Sequence, residues 1–188
     1  MKHLILFFIL ITGIAFQSCK EQSKPATIPL SYLIFSSIFA QSKKDSMHAY
    51  CLLGSGYFRA PTSSNADSII NDWLSRHPNA DVIPVASHGP TLTDFPNSRM
   101  TYCWLIDKTD TLNNFLIRNG CFPGGTMTRP KTWKEMSDEE KGIWENDANL
   151  IVHINKGVYE SFLDQIEVAE KYARQNHLGI WKDEEVEY

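Results

Sequence analysis

Concentrated positive charge is what this chain lacks most. Its 188 residues carry 18 Lys and Arg against 22 Asp and Glu, a formal charge of -4. No basic cluster is longer than Lys43-Lys44. Phosphate contacts supply most of the affinity of nucleic-acid binders, so this balance argues against tight binding of DNA or RNA. A loosely held nucleic-acid substrate stays compatible with it. Cysteine is scarce too, and none of the four stands at a zinc-type pair spacing. Internal repeats and low-complexity stretches are missing, and the 43% apolar fraction fits an ordinary globular domain with a sizeable core.

The N-terminus is more specific. Lys2 precedes the apolar run Leu4 to Phe16, which is short of the roughly 20 residues a spanning helix needs. Ser18 then stands before Cys19. This order resembles a bacterial lipoprotein signal, which implies loss of residues 1–18 and a lipid anchor on Cys19 that ties the protein to a membrane. Phe16 and Gln17 depart from the usual spelling before that cysteine, so plain secretion or an uncleaved anchor also fits. Either outcome exports the domain to the cell envelope or beyond, where disulfides are permitted. With Cys19 lipidated, Cys51, Cys103 and Cys121 remain, and an odd number allows at most one intrachain disulfide. Buried apolar thiols are the simplest reading of these three.

Residues 19–46 read as a tether followed by a possible first strand or a second apolar segment. Lys20 to Pro25 is polar. Ile28 to Ala40 is apolar and ends Phe39-Ala40-Gln41-Ser42, which fits a strand of the domain and a second cleavable signal equally. The domain proper is placed at 47–183, with an acidic tail at 184–188. Met47 to Phe58 reads as strand, turn and strand around Gly54-Ser55-Gly56, a turn far more often than a phosphate loop. Ser63 and Ser64 predict a capped helix carrying Ile69, Ile70, Trp73 and Leu74. Asp81 to Ala86 is a short strand, with Pro84 marking an edge or bulge. His88 to Asn97 is a loop, and Met100 to Asp107 the strongest strand. Asp110 is expected to cap a helix over Thr111 to Asn119 that ends at Gly120. Lys131 to Trp144 predicts a short helix split at Ser137, Ile151 to Ile154 a short strand, and Val158 to His177 a long amphipathic helix.

Two strings carry a resemblance. Leu112-Asn113-Asn114-Phe115-Leu116-Ile117-Arg118-Asn119-Gly120 and Ala169-Glu170-Lys171-Tyr172-Ala173-Arg174-Gln175-Asn176-His177-Leu178-Gly179-Ile180-Trp181 occur in the order found in the C-terminal half of the staphylococcal nuclease (thermonuclease) family. The chain resembles that family over Ser63 to Gly120 and Tyr159 to Trp181. Cys121 to Val158 is longer than the family's usual link. The resemblance implies an α+β fold, a five-stranded OB-like β-barrel with packed helices.

It also implies a chemistry to look for. Family nucleases cleave phosphodiesters with a calcium ion held by carboxylates and with two arginines that grip the phosphate. Arg99 stands where one of those arginines falls, and is the one catalytic residue the resemblance transfers. The family's Asp-x-Pro-Glu loop meets Arg59-Ala60-Pro61-Thr62, so a cation replaces a metal-binding acid. From Lys24 to Pro61, Asp45 is the only acid, whereas calcium takes about six or more oxygen ligands. No metal site and no cofactor is therefore expected, calcium entering only if an active phosphodiesterase survives on a rearranged site. Candidates for such a site are Asp94, Asp107 and the base His88. Glu135, Asp138, Glu139, Glu140, Glu145 and Asp147 read as a solvated helix face. Arg59, Tyr57, Phe58, Tyr102 and Trp104 are candidates for a ligand-binding barrel face. The function this implies is an exported binding or scaffold module for an unknown ligand, with nucleic acid a partner only under the phosphodiesterase alternative.

Overall fold

The structure is a computed structural model, and it describes residues 26–52, 61–126, 131–143 and 150–183. Cys19, the Gly54-Ser55-Gly56 turn, Tyr57, Phe58, Arg59, Glu145, Asp147 and the acidic tail lie outside those residues.

Alternation of inward and outward side chains builds the sheet. Four short strands come first: β1 (Ile28–Pro29), β2 (Leu33–Ser36), β3 (Phe39–Ser42) and β4 (His48–Cys51). Two long strands follow, β5 (Asp81–His88) and β6 (Arg99–Asp107), and then the two-residue strands β7 (Asp110–Thr111) and β8 (Ile151–Val152). Across the sheet the order is β1-β5-β6-β4-β3-β2, with β7 added to β6 and β8 to β5. Only β4 and β6 run parallel on this path, with His48 opposite Arg99. The strands at its two ends, β1 and β2, are one stretch of chain parted by a single 3-10 turn, Leu30–Tyr32. A sheet whose ends are tied so closely must curl. The fold is mixed α+β around that curled sheet.

The apolar run from Ile28 to Ala40 thus belongs to the sheet, as two and a half strands rather than one. Ser36 pairs with Phe39, and Ser37 makes the turn between them at a φ of 60°. Leu33, Ile38 and Ala40 are buried. The folded domain therefore begins upstream of residue 47, where the sequence pattern places its start. Pro84 sits at a register shift in β5, between the residues paired with β1 and those paired with β8. A missing N–H is tolerated there because no outer strand needs it.

Helix α1 (Ala66–Arg76) buries Ala66, Ile70 and Trp73. It starts after Asn65 without a side-chain cap, and Ser63 Oγ is bonded to Asn65 Oδ1 at 2.5 Å instead of to the helix. Helix α2 (Leu112–Arg118) is capped by Thr111, whose Oγ1 accepts from Asn114 N at 3.1 Å. Asp110, the capping residue expected from sequence, pairs with Asp107 in the β6–β7 hairpin. Helix α3 (Asp138–Ile143) opens with a capping box: Ser137 Oγ accepts from Glu140 N and Glu140 Oε2 from Ser137 N. Helix α4 (Lys156–Gln175) is capped by Asn155 and buries Tyr159, Phe162, Ile166, Ala169 and Ala173.

The two strings that carry the resemblance meet in space. Both helices end the same way. Cys121 N bonds Leu116 O and Gly120 N bonds Ile117 O, while Leu178 N bonds Ala173 O and His177 N bonds Arg174 O. This reciprocal pair of bonds needs one left-handed residue, supplied by Gly120 (φ 66°) in α2 and by His177 (φ 50°) in α4. Gly179 (φ 55°) has a different task. A Cβ there would strike Gly120 O, and one on Gly120 would strike Leu178 O, so the two backbones touch where no side chain fits. Ile180 N donates to Gly120 O at 2.8 Å to lock the contact. Trp181 does not fill the core: it is half-buried under the Arg174 guanidinium, 3.6 Å from the ring centroid.

Candidate functional site

Strand register decides which polar side chains can meet. His48 lies opposite Arg99 and Tyr50 opposite Thr101 in the β4–β6 pair, and Ser87 lies opposite Thr101 in the β5–β6 pair. Since paired residues share a face and alternate residues return to it, Arg99, Thr101, His48, Tyr50 and Ser87 stand on one side of the sheet. His153, just after β8, is brought to the same side by its backbone N–H, which donates to Val85 O at 2.9 Å.

These residues form one hydrogen-bonded chain. His48 Nε2 is 2.5 Å from Thr101 Oγ1, Thr101 Oγ1 is 2.6 Å from Ser87 Oγ, and Ser87 Oγ is 2.7 Å from His153 Nε2. Thr101 and Ser87 are buried, and the two imidazoles at the ends are more open. The His48 ring stacks on Tyr50 with centroids 4.6 Å apart. Burial pushes the His48 pKa down, Asp45 pulls it up, and His153 and Arg99 push it down further, the net direction being down. Burial likewise lowers His153. Both rings are thus held toward their neutral, proton-accepting form. Burial raises the Tyr50 pKa, with Cys103 and Asp45 acting the same way.

Arg99 opens β6 at the His48 edge. Its Nη1 donates to Pro96 O at 2.9 Å and Ser98 O at 2.8 Å, and its backbone N donates to Met47 O. The side chain lies on Gly89, where a Cβ would meet Arg99 Cδ at 2.7 Å and Nη1 at 2.8 Å. The same Cβ would strike Ser98 O, so glycine is required for the two backbone segments to come this close. Ser98, buried beneath the loop, accepts from Thr91 N and Leu92 N and fixes the loop's return to β6.

The other candidates are dispersed. Asp107 ends β6, eight residues after its start at Arg99, which at about 3.3 Å per residue puts them too far apart to share a ligand. Its carboxylate bonds His77 Nδ1 at 2.9 Å, and His77 stacks on Trp73, which itself donates to Asp110. That cluster staples α1 to the β6–β7 hairpin. Asp94 is exposed on the loop between β5 and β6. His88 ends β5 rather than sitting in the loop, pairs with Met100 and lies against Tyr102, 5.4 Å between centroids. By alternation that is the opposite face from Arg99 and Thr101. Trp104 is removed from any ligand face, since Phe162 stacks on it at 4.3 Å and Tyr159 meets it edge-on. Among the described residues no group of three or more His, Cys, Asp or Glu is placed to hold a metal ion.

His48, Thr101, Ser87 and His153 were not legible as a group. They are separated by 14 to 66 positions in the pairs they form. The available signal was two hydroxyl residues at inward-facing strand positions, and that alone names no partner.

Neither a protein-family model nor a curated protein matches this chain.

Proposed function

We propose that the chain is an exported, nuclease-like domain with a five-stranded OB-type barrel. On this reading it is anchored through lipid on Cys19 and binds an anionic, phosphate-bearing ligand at the sheet end marked by Arg99 and His48. The barrel reading is supported by the strand order, which among the described residues starts and finishes on residues 28–36 and holds one parallel pair, β4 with β6. The ligand reading is carried by one observation. A guanidinium and two imidazoles share a face on which Asp45 is the one acid that acts on His48. A fixed cation with a planar fork of donors suits a phosphate or carboxylate far better than a neutral ligand. Calcium chemistry of the family type is not proposed, because Asp107 lies at the far end of β6 and the one acid between Lys24 and Pro61 cannot make a calcium shell.

The test is calorimetric titration of the protein with inorganic phosphate and with a short single-stranded oligonucleotide, repeated on Arg99→Ala. Binding weakened roughly tenfold by that change is expected, the loss of one charge-assisted contact of about 1.5 kcal/mol or more. Binding equal in the two proteins sinks the reading. For the anchor, Cys19→Ser should move the protein from the membrane fraction to the soluble one.

The second reading is cleavage rather than binding, by a phosphodiesterase that uses Arg99. The histidine chain beside Arg99 is what favours it.

A further inference from the structure

Apolar side chains left in water gather close to where the chain enters the sheet. Among the described residues eight large apolar side chains are exposed, and four of them, Tyr32, Ile34, Leu92 and Phe95, stand around the β3–β4 and β5–β6 loops. Ile34 is 60% exposed on β2, while its neighbour Leu33 turns into the core. Tyr32 O accepts from Lys43 N at 2.9 Å, which ties that ring to the β3–β4 loop. The turn from Leu92 to Phe95 is fixed: Phe95 N donates to Leu92 O at 3.1 Å, Ser98 N to Phe95 O at 2.9 Å, and Ser98 Oγ accepts from Leu92 N. The backbone itself therefore holds these two side chains out. The two loops abut at Arg99, whose N donates to Met47 O and whose Nη1 donates to Pro96 O.

Positive charge collects at the same place. Lys43 Nζ donates to Ser31 O at 2.7 Å, and Lys44 Nζ lies 3.5 Å from the Tyr32 ring centroid. With Arg99 these make three cations against Asp45 and Asp94, and Asp45 Oδ1 is engaged by Met47 N. The adjoining stretch Lys20 to Pro25 adds two lysines against Glu21. This side is net positive in a chain whose formal charge is -4. Apolar and aromatic side chains interleaved with lysines suit the headgroup layer of an anionic bilayer. The apolar groups enter the interface, and the lysine stems let the ammonium groups stay at phosphate level.

We propose that Tyr32, Ile34, Lys43, Lys44, Leu92 and Phe95 form a surface that docks on an anionic phospholipid bilayer, the one into which the Cys19 lipid inserts. The choice of occupant rests on the reading of Cys19 as lipidated. Ile28, where the sheet begins, is nine residues after Cys19, and that length of chain spans at most about 30 Å. A compact domain of this size is roughly 40 Å across, from a radius of gyration of about 15 Å. Ser31, which holds Lys43, is three residues of chain from Ile28. The tether thus draws this side, and not the far one, to the bilayer. The lipid supplies residence at the membrane, and the surface sets which way the domain faces. That orientation turns the Arg99 end of β6 toward the headgroup phosphates.

The test takes the processed chain, residues 19–188 with Cys19→Ser so that no lipid contributes, and sediments it with vesicles. Vesicles of phosphatidylcholine mixed with phosphatidylglycerol should bind it roughly tenfold more tightly than phosphatidylcholine alone, and about 0.5 M sodium chloride should release it. Lys43→Gln with Lys44→Gln should weaken binding about tenfold or more, and Ile34→Ser with Phe95→Ser about tenfold, each at an unchanged melting temperature. Val168→Ser, which removes an exposed apolar side chain from α4, should leave binding as it was. Binding indifferent to both paired changes, or weakened as much by Val168→Ser, overturns the surface. Absence of vesicle binding overturns it too, and phosphate binding that Arg99→Ala weakens would then leave the anion site standing without it. A dimer in sedimentation velocity that Ile34→Ser with Phe95→Ser dissolves assigns this face to a second copy and overturns the membrane reading. Vesicle binding as expected, together with a full chain whose membrane fraction ignores Cys19→Ser, removes the anchor and keeps the surface.

Discussion

At the residue scale, two kinds of position matter most: those where a side chain cannot exist and those where one is irreplaceable. Gly120 and Gly179 combine positive φ with backbone oxygens where a Cβ would sit. Either one changed to Ala should lower the unfolding free energy by at least about 2 kcal/mol, read by urea denaturation, since the left-handed conformation alone costs a β-carbon about 1–2 kcal/mol. Asn113 is the converse. Fully buried, it donates to Leu52 O and to Cys103 O and accepts from Leu105 N, and so closes the gap between β4, β6 and α2. Asn113→Leu should cost about 2–3 kcal/mol by leaving these groups unpaired.

The histidines set the pH response. A His whose folded pKa lies below its unfolded 6.5 binds fewer protons when folded, so stability rises with pH. The contribution is whole above 6.5 and is lost as pH falls from there toward the folded value. Thermal melts should therefore drop between pH 7 and 5, and a His48→Gln, His153→Gln double variant should flatten that drop. The thiols respond oppositely. Burial pushes Cys121 up to about 12 and Cys103 well above its ordinary value. Neither should react with a thiol reagent in the native protein at pH 8, and both should react on unfolding.

At the element scale, helix ends carry more specific information than helix interiors. The α4 terminus holds His177 at φ 50°, a conformation in which glycine is unstrained and histidine is not. His177→Gly should stabilise the protein by about 0.5–1 kcal/mol. Removing the Asn155 cap, whose Oδ1 accepts from Val158 N at 2.9 Å, should cost about 1 kcal/mol, and Asn155→Asp should restore most of it. The α2–α4 contact also carries a cation–π pair, Arg118 over Tyr172 at 3.9 Å, and Arg174 at the end of α4 covers Trp181. The resemblance therefore rests on the residues of one interface. It reports a packing requirement.

At the scale of the whole molecule, the curled sheet depends on residues 28–42. They supply the strands at both ends of the sheet order as well as buried Leu30, Leu33 and Ile38. A protein starting at residue 26 should give a cooperative urea transition, and one starting at 41, as cleavage after Ala40 would leave it, should not. A sharp transition in the shorter protein would return the Ile28–Ala40 run to the reading as a second signal.

Local chemistry is what the sequence determined. Periodicity found α1, α2, α4 and β6 within a few residues, because an amphipathic face and a β-branched strand are written in neighbouring letters. The turn at Gly120 and the short strand at Ile151 were legible for the same reason. The capping residues were missed by one or two positions, since Asp110 and Thr111 are both good caps and only the hairpin pairing of Asp110 chooses between them. The acid count from Lys24 to Pro61 was also plain from the letters, and no fold can add carboxylates to that stretch. The tertiary structure alone decided which polar groups meet. It separated Asp107 from Arg99 by the length of a strand, buried Trp104 under α4, and joined His48, Ser87 and Thr101 of three strands to His153 just after β8. The reason is register: side chains in a sheet meet their neighbours on other strands, and that pairing depends on every turn and bulge between them.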